Sequence, residues 1–181
     1  MKRNLWMLVT LIGMLAWLPA VSAQKEALPL KAEVVNVEPF SYVALENTGP
    51  YTEYAARQQT FYAEIARQDV KPIDVQFTLY WNSPLFVKPH ELKWDIAFPV
   101  TSATKVAPPL VLKRFNHRQC AVAIHVGPYL TTVQTINALY SWLAAKGRKA
   151  ATGPCMERYL DPDPAVVADS AKRTQILIPL Q

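Results

Sequence analysis

Glycine is scarce in this chain, five in 181 residues. A dinucleotide fingerprint or a phosphate-cradling P-loop needs several glycines within one turn, and neither pattern is present. Histidine and cysteine are scarcer still, three and two. His90, His117 and His125 stand far apart, without the His-x-x-x-His or Cys-x-x-Cys spacing that would argue for zinc. A Gly-x-Ser-x-Gly elbow for nucleophilic catalysis is also missing. Cations are scattered: beyond residue 23 no basic run is longer than Lys113-Arg114 or Lys172-Arg173. Binding to nucleic acid needs clustered Lys and Arg that release counterions together, so that class is set aside.

One long apolar run does exist, from Leu5 to Leu18. Lys2 and Arg3 precede it, and Pro19 and Val21-Ser22-Ala23 follow. The run is shorter than the roughly 20 residues a spanning helix needs. A positive start, an apolar middle and a small-residue end read as a signal peptide over 1–23, cleaved after Ala23. The mature chain, 24–181, is expected to be free of the membrane and periplasmic. Setting Lys2 and Arg3 aside lowers the formal net charge of +5 by two, which leaves little pull on polyanions. Both cysteines, Cys120 and Cys155, fall in the mature part, where an oxidising compartment allows them to pair. The alternative is two buried thiols that act as small hydrophobes.

What the chain does have is an internal repeat. Residues 42–51 end in Gly49-Pro50-Tyr51, and residues 120–129 end in Gly127-Pro128-Tyr129, 78 positions later. Each copy closes a β-rich run with a turn. A helical stretch follows each: Tyr54, Phe61 and Ile65 share a face between Thr52 and Gln68, as do Val133, Ile136, Tyr140 and Leu143 between Thr131 and Lys146. Gly147 is a fitting stop for the second helix. A strand then ends in a proline-bearing turn, at Tyr80 before Asn82-Ser83-Pro84 and at Tyr159-Leu160 before Asp161-Pro162. Each half closes on a short apolar strand, Trp94 to Val100 and Thr174 to Leu180, with Pro99 and Pro179 in matching places.

The unit is therefore strand, helix, strand, strand, occurring twice. Module one spans about 33–100, a connector 101–114, and module two about 115–181. Neither half is large enough to bury both faces of its own sheet. The expected fold class is α+β: one antiparallel-rich sheet with two helices on one face and a cleft along the pseudo-twofold seam. The face without helices is expected to be the concave ligand surface. Seams of this kind favour ligands.

Gly-Pro-Tyr, a helix, the run Met156-Glu157-Arg158-Tyr159-Leu160-Asp161-Pro162 and a terminal Ile178-Pro179-Leu180 strand together resemble the GyrI-like small-molecule-binding domain, also called the AraC effector-binding or SOUL-like fold. The resemblance covers about 33–181. It implies a pocket between modules, lined by aromatics and holding one glutamate that attracts cationic or polarised ligands. Stand-alone members bind or hydrolyse small molecules, and no DNA-binding module accompanies this one. Haem, known in SOUL-type relatives, finds no obvious axial ligand here, and no cofactor is expected.

Strand alternation places Cys155, Glu157 and Tyr159 on one face and Met156, Arg158 and Leu160 on the other. Thr78 and Tyr80, 79 residues earlier, reach the same cleft from the opposite side. Trp94 is a further candidate ligand contact, at the side of the cleft. Tyr80 and Tyr159 have an alternative role as rim or core aromatics whose hydroxyls bond backbone. A carboxylate drawn out of water has its pKa raised, and an entering cation relieves that cost. Tyrosine faces add about 0.5 to 2 kcal/mol each through cation–π attraction.

The leading expectation is thus an exported protein that captures an amphipathic, cationic ligand with Glu157, Tyr159, Tyr80, Thr78 and Trp94. The alternative is a hydrolase of a strained or electrophilic molecule with Glu157 as general base. A third class, an envelope module for a protein partner, is favoured if the cleft proves to be filled by the chain's own side chains, leaving Glu157 solvated or tied up in a salt bridge, for instance to Arg173. The oligomeric state is not written in these patterns.

Overall fold

The computed structural model describes residues 30–181, and the leader expected at 1–23 lies outside them. In chain order the elements are β1 (Ala32–Asn36), β2 (Phe40–Thr48), α1 (Tyr54–Arg67), β3 (Phe77–Tyr80), β4 (Lys93–Val100), β5 (Leu110–Phe115), β6 (Gln119–Val126), α2 (Thr132–Ala145), β7 (Cys155–Tyr159) and β8 (Arg173–Pro179). The strands make one antiparallel sheet in the order β1-β6-β8-β7-β3-β4-β2-β5. The α+β architecture of two joined modules is the one expected. Each module carries one more strand than the repeat revealed. The connector holds β5, which pairs with β2, while β1 pairs with β6 of the other module.

That exchange bends the sheet. In the strand order, six spacings separate β1 from β2 and six separate β6 from β5, roughly 29 Å in a flat sheet at about 4.8 Å per strand. Only residues 37–39 join the first pair and 116–118 the second, and three linking residues span about 14 Å at most. The sheet must therefore curl so that its two ends approach at the end where these links lie.

Both Gly-Pro-Tyr copies make the same turn. Gly49 and Gly127 have φ of 128° and 144°, a region closed to side chains with a Cβ. Their N–H groups donate to the carbonyls of Leu92 and Lys172, each at 2.9 Å. The chain is thrown onto one face of the sheet, where a helix begins. Gly147, at φ 64°, ends α2 with Arg148 N–H donating to Leu143 and Gly147 N–H to Ala144, the paired bonds of a Schellman stop.

Helix α1 lies over β2 and β4 and buries Phe61 and Ile65; α2 lies over β6 and β8 and buries Leu139 and Leu143. The predicted apolar face of α2 is rotated, since Val133 is exposed. The row Leu139–Leu143 meets the sheet, and the row Thr132, Ile136, Tyr140 turns to the seam. Across the helix face, register gives a continuous row: Leu45, Ile96, Thr78, Glu157, Ile176, Ala123. Only the two central residues are polar.

The opposite face is not the concave ligand surface the sequence suggested. The curl fills it with Tyr42, Phe77, Leu79, Phe115, Met156 and Leu177, an apolar cluster of its own. Cys120 belongs to that cluster and Cys155 to the one under α2, with β8 between their strands. Their side chains stand on opposite faces and both thiols are free, so of the two alternatives it is the pair of separate thiols that the fold adopts and not the disulfide.

Candidate functional site

The site lies on the helix face. Strands β3 and β7 are the middle of the sheet, and the helices cover its flanks, so a seam runs between α1 and α2 above β3 and β7. The repeat offset of 79 maps Thr78 onto Glu157, and these two residues are also direct register partners. The pseudo-twofold axis therefore passes between them. Four of the five predicted contacts, Glu157, Tyr159, Tyr80 and Thr78, come together here.

Glu157 is 5% exposed. The hydroxyls of Tyr80 and Tyr159 approach its Oε2 at 3.5 and 3.4 Å. Tyr159 is also 3.1 Å from Thr78 Oγ1, and its single proton can serve only one of the two acceptors. The Tyr54 hydroxyl lies 2.9 Å from Thr78 Oγ1 and 3.3 Å from the Tyr159 oxygen, and it accepts from Gln76 at 3.0 Å. Gln76 in turn accepts from Tyr62 and Gln58. Thr78 is thus the foot of a network rather than a surface for ligand.

Burial pushes the Glu157 carboxyl up to about 7, against hydrogen bonding from Thr132, Tyr159 and Tyr80. Burial also raises Tyr54, Tyr80 and Tyr159, and the Cys155 thiol with them. Tyr51 is pushed up to about 12, chiefly by burial and further by Glu157. These tyrosines stay protonated across the physiological range and present neutral hydroxyls and ring faces, with no charge of their own. Glu157 is neither solvated nor paired with Arg173, which binds Asp161 instead at 3.2 Å. Neither state of Glu157 that would have favoured the protein-partner class is present.

Trp94 does not line the cleft. It is 1% exposed, stacked on Tyr54 at 5.4 Å and edge-on to Tyr51 at 6.1 Å, with Nε1 donating to the Gly49 carbonyl at 3.1 Å. The turn at Gly49 folds over it, so it supports the wall from beneath. Trp81 faces away from Tyr80, as expected from alternation. It borders an open-face cleft of about 380 Å³ in which Lys113 bridges Glu46 at 2.7 Å and Asp95 at 2.8 Å, a charge cluster already neutralised from within.

The residues missed are the tyrosines of the repeat motif itself. Tyr51 packs edge-on against Tyr80 at 5.2 Å, and Tyr129 against Tyr159 at 5.1 Å. Tyr54 and Thr132, the first residues of the two helices, complete the walls. The signal was available: a turn that places Tyr51 and Tyr129 on the helix face twice puts both beside the axis. Together they leave one carboxyl under a set of half-buried rings.

The model of the GyrI-like small molecule binding domain matches residues 31–181. No curated protein matches the sequence. Among solved structures, the EcmrR C-terminal domain superposes with a TM-score of 0.72 at 16% identity, covering 84% of this chain and 98% of that one. A hydrolase from Listeria innocua gives 0.62 at 17%, covering 86% and 94%. SAV2435, solved with tetraphenylphosphonium bound, gives 0.58 at 13%, covering 84% and 94%.

Proposed function

The chain belongs to the family of GyrI-like small molecule binding domains, and from that premise we propose that it captures a lipophilic cation at the seam, with Glu157 as counter-ion. Tyr51, Tyr80 and Tyr159 form the walls against which its rings stack. The observation that carries this reading is a carboxyl 5% exposed whose side-chain neighbours are neutral hydroxyls, of Tyr80, Tyr159 and Thr132, rather than a lysine or arginine. Ionising it without a cation is costly, and a cation of low hydration offsets that cost. The tetraphenylphosphonium found on SAV2435 is a ligand of this class and supports the choice.

Tetraphenylphosphonium and neutral triphenylphosphine oxide, tested by thermal shift on wild type and Glu157→Gln, separate charge from shape. A ligand at 100 times its dissociation constant stabilises by about 2.7 kcal/mol. The cation's shift is expected to vanish in Glu157→Gln while that of the neutral compound persists. Equal loss of both would remove Glu157 as counter-ion.

The reading extends to an exported protein, on the strength of the leader pattern at 1–23. Expressed in a Gram-negative host, the periplasmic form is expected to begin at Gln24 by intact mass. A product retaining Met1 in the cytoplasmic fraction overturns that address.

Hydrolysis is a second reading, because a carboxyl held near 7 matches the requirement of a general base at neutral pH, and a hydrolase is among the structural neighbours. Under it, Glu157→Gln abolishes turnover and leaves binding nearly intact.

A further inference from the structure

The two halves of the seam are not filled alike. In module one, Tyr54 stacks on Trp94 at 5.4 Å. Their repeat equivalents in module two are Thr132, at the start of α2, and Thr174, on β8. Two threonines thus stand where two aromatic rings stand in the other half, and they lie beside Glu157: Thr132, whose hydroxyl donates to the Tyr129 carbonyl at 2.9 Å, is close enough to act on its carboxyl, and Thr174 is the register partner of Tyr159.

Polar satisfaction is equally uneven. In module one the Tyr51 hydroxyl donates to the Asn82 carbonyl at 3.3 Å and Trp94 Nε1 to the Gly49 carbonyl. Among the described residues, the buried side-chain oxygens without a partner are Tyr129 Oη and Thr174 Oγ1, the equivalents of those two donors. Thr174 is 0% exposed. Both flank the Tyr159 ring, Thr174 from the neighbouring strand and Tyr129 edge-on from above. A buried hydroxyl left without a partner costs about 1 to 3 kcal/mol. Two of them flanking one ring at the seam, on the half that lacks the ring stack, are donors without an acceptor.

We infer that module two holds a subsite for a flat ligand bearing a hydrogen-bond acceptor, which Tyr129 and Thr174 grip in the place that Tyr54 and Trp94 fill in module one. The inference rests on the reading that the seam takes a small molecule, and it adds what the ligand carries besides charge: a carbonyl or ether oxygen on an aromatic ring system.

Three probes test it by fluorescence titration: N-methylacridinium, a cation without an acceptor; 10-methylacridinium-9-carboxamide, a cation with one; and N-methylacridone, neutral with a carbonyl. Thr174→Val and Tyr129→Phe each are expected to weaken the two carbonyl probes roughly fivefold to tenfold, the worth of one neutral hydrogen bond. N-methylacridinium should change by less than twofold, and Thr174→Ser should bind as wild type. The unliganded Thr174→Val protein should melt at or above wild type, because it loses a hydroxyl that bonds nothing. Equal changes for all three probes, or none, overturn the subsite. So does a lower melting temperature for Thr174→Val, which would mean the hydroxyl is already partnered. If the cations bind wild type no better than N-methylacridone, the counter-ion reading fails while a carbonyl-selective loss in Thr174→Val still upholds the subsite. No binding of any probe to wild type overturns both.

Discussion

Between pH 5 and pH 8 the affinity of the seam for tetraphenylphosphonium is expected to rise about 100-fold, with nearly all of the change below pH 7. The carboxyl of Glu157 is held near 7 by burial, and a cation gains from it only when it is ionised. At pH 5 about one molecule in a hundred carries that charge, and the apparent dissociation constant is the intrinsic one divided by this fraction. The groups around it do not blur the profile: Tyr51, Tyr54, Tyr80, Tyr159 and Cys155 are all raised and remain protonated. Titration calorimetry at pH 6 should also show close to one proton released per cation bound. A flat profile in wild type, or the same slope in Glu157→Gln, removes the carboxyl from the binding equilibrium.

The same shift fixes the behaviour of the unliganded protein. The ordinary value of 4.5 is raised to about 7 on folding, so between those values the folded chain holds the proton more tightly than the unfolded one. Glu157 therefore contributes its full stability below about pH 4.5 and loses it as pH rises through 7, by about 3 kcal/mol at most. Glu157→Gln lacks this loss and should be the more stable protein at pH 8 in urea unfolding. A carboxyl that weakens its own empty fold at neutral pH fits the proposed role, in which a bound cation completes the site.

How much of this was legible in the chain depended on the kind of pattern involved. Local periodicity and repeat spacing gave the helices, the β3, β4, β7 and β8 strands and the shared surface of Thr78, Tyr80, Glu157 and Tyr159, because alternation in a strand is a local rule. Strands β1 and β5 were missed, since each is short and pairs with the other module. Their role rests on long-range register, which no local pattern records. The same strands hid the true face of the site. Without the exchange there is no reason for the sheet to curl and fill its helix-free face with Phe77, Leu79 and Met156. Tyr51 and Tyr129 were in plain view within the repeat, but their place beside Tyr80 and Tyr159 needs the left-handed glycine turn that folds them over the axis. Trp94 was assigned to the side of the cleft because it opens the last strand of module one. What a place along a strand does not show is depth, and the turn at Gly49 covers it.

Trp94→Ala is accordingly expected to act on the fold rather than on the ligand. The side chain is 1% exposed, stacked on Tyr54 and bonded to the Gly49 carbonyl. Truncating a buried aromatic of this size costs about 3 to 5 kcal/mol, a large share of the roughly 5 to 15 kcal/mol that holds a domain together. Trp94→Phe keeps most of the stack and gives up the hydrogen bond, a loss of roughly 1 kcal/mol. It should fold and bind tetraphenylphosphonium within about threefold of wild type, a difference under about 1 kcal/mol. Urea unfolding of both variants, with titration of Trp94→Phe, separates the two roles. Near-native stability in Trp94→Ala together with a large loss of affinity in Trp94→Phe would return the indole to the cleft wall. The opposite pattern leaves Tyr51, Tyr80 and Tyr159 as the proposed rings that meet the ligand, with Trp94 setting the position of Tyr51 and, through Tyr54, of the wall behind them.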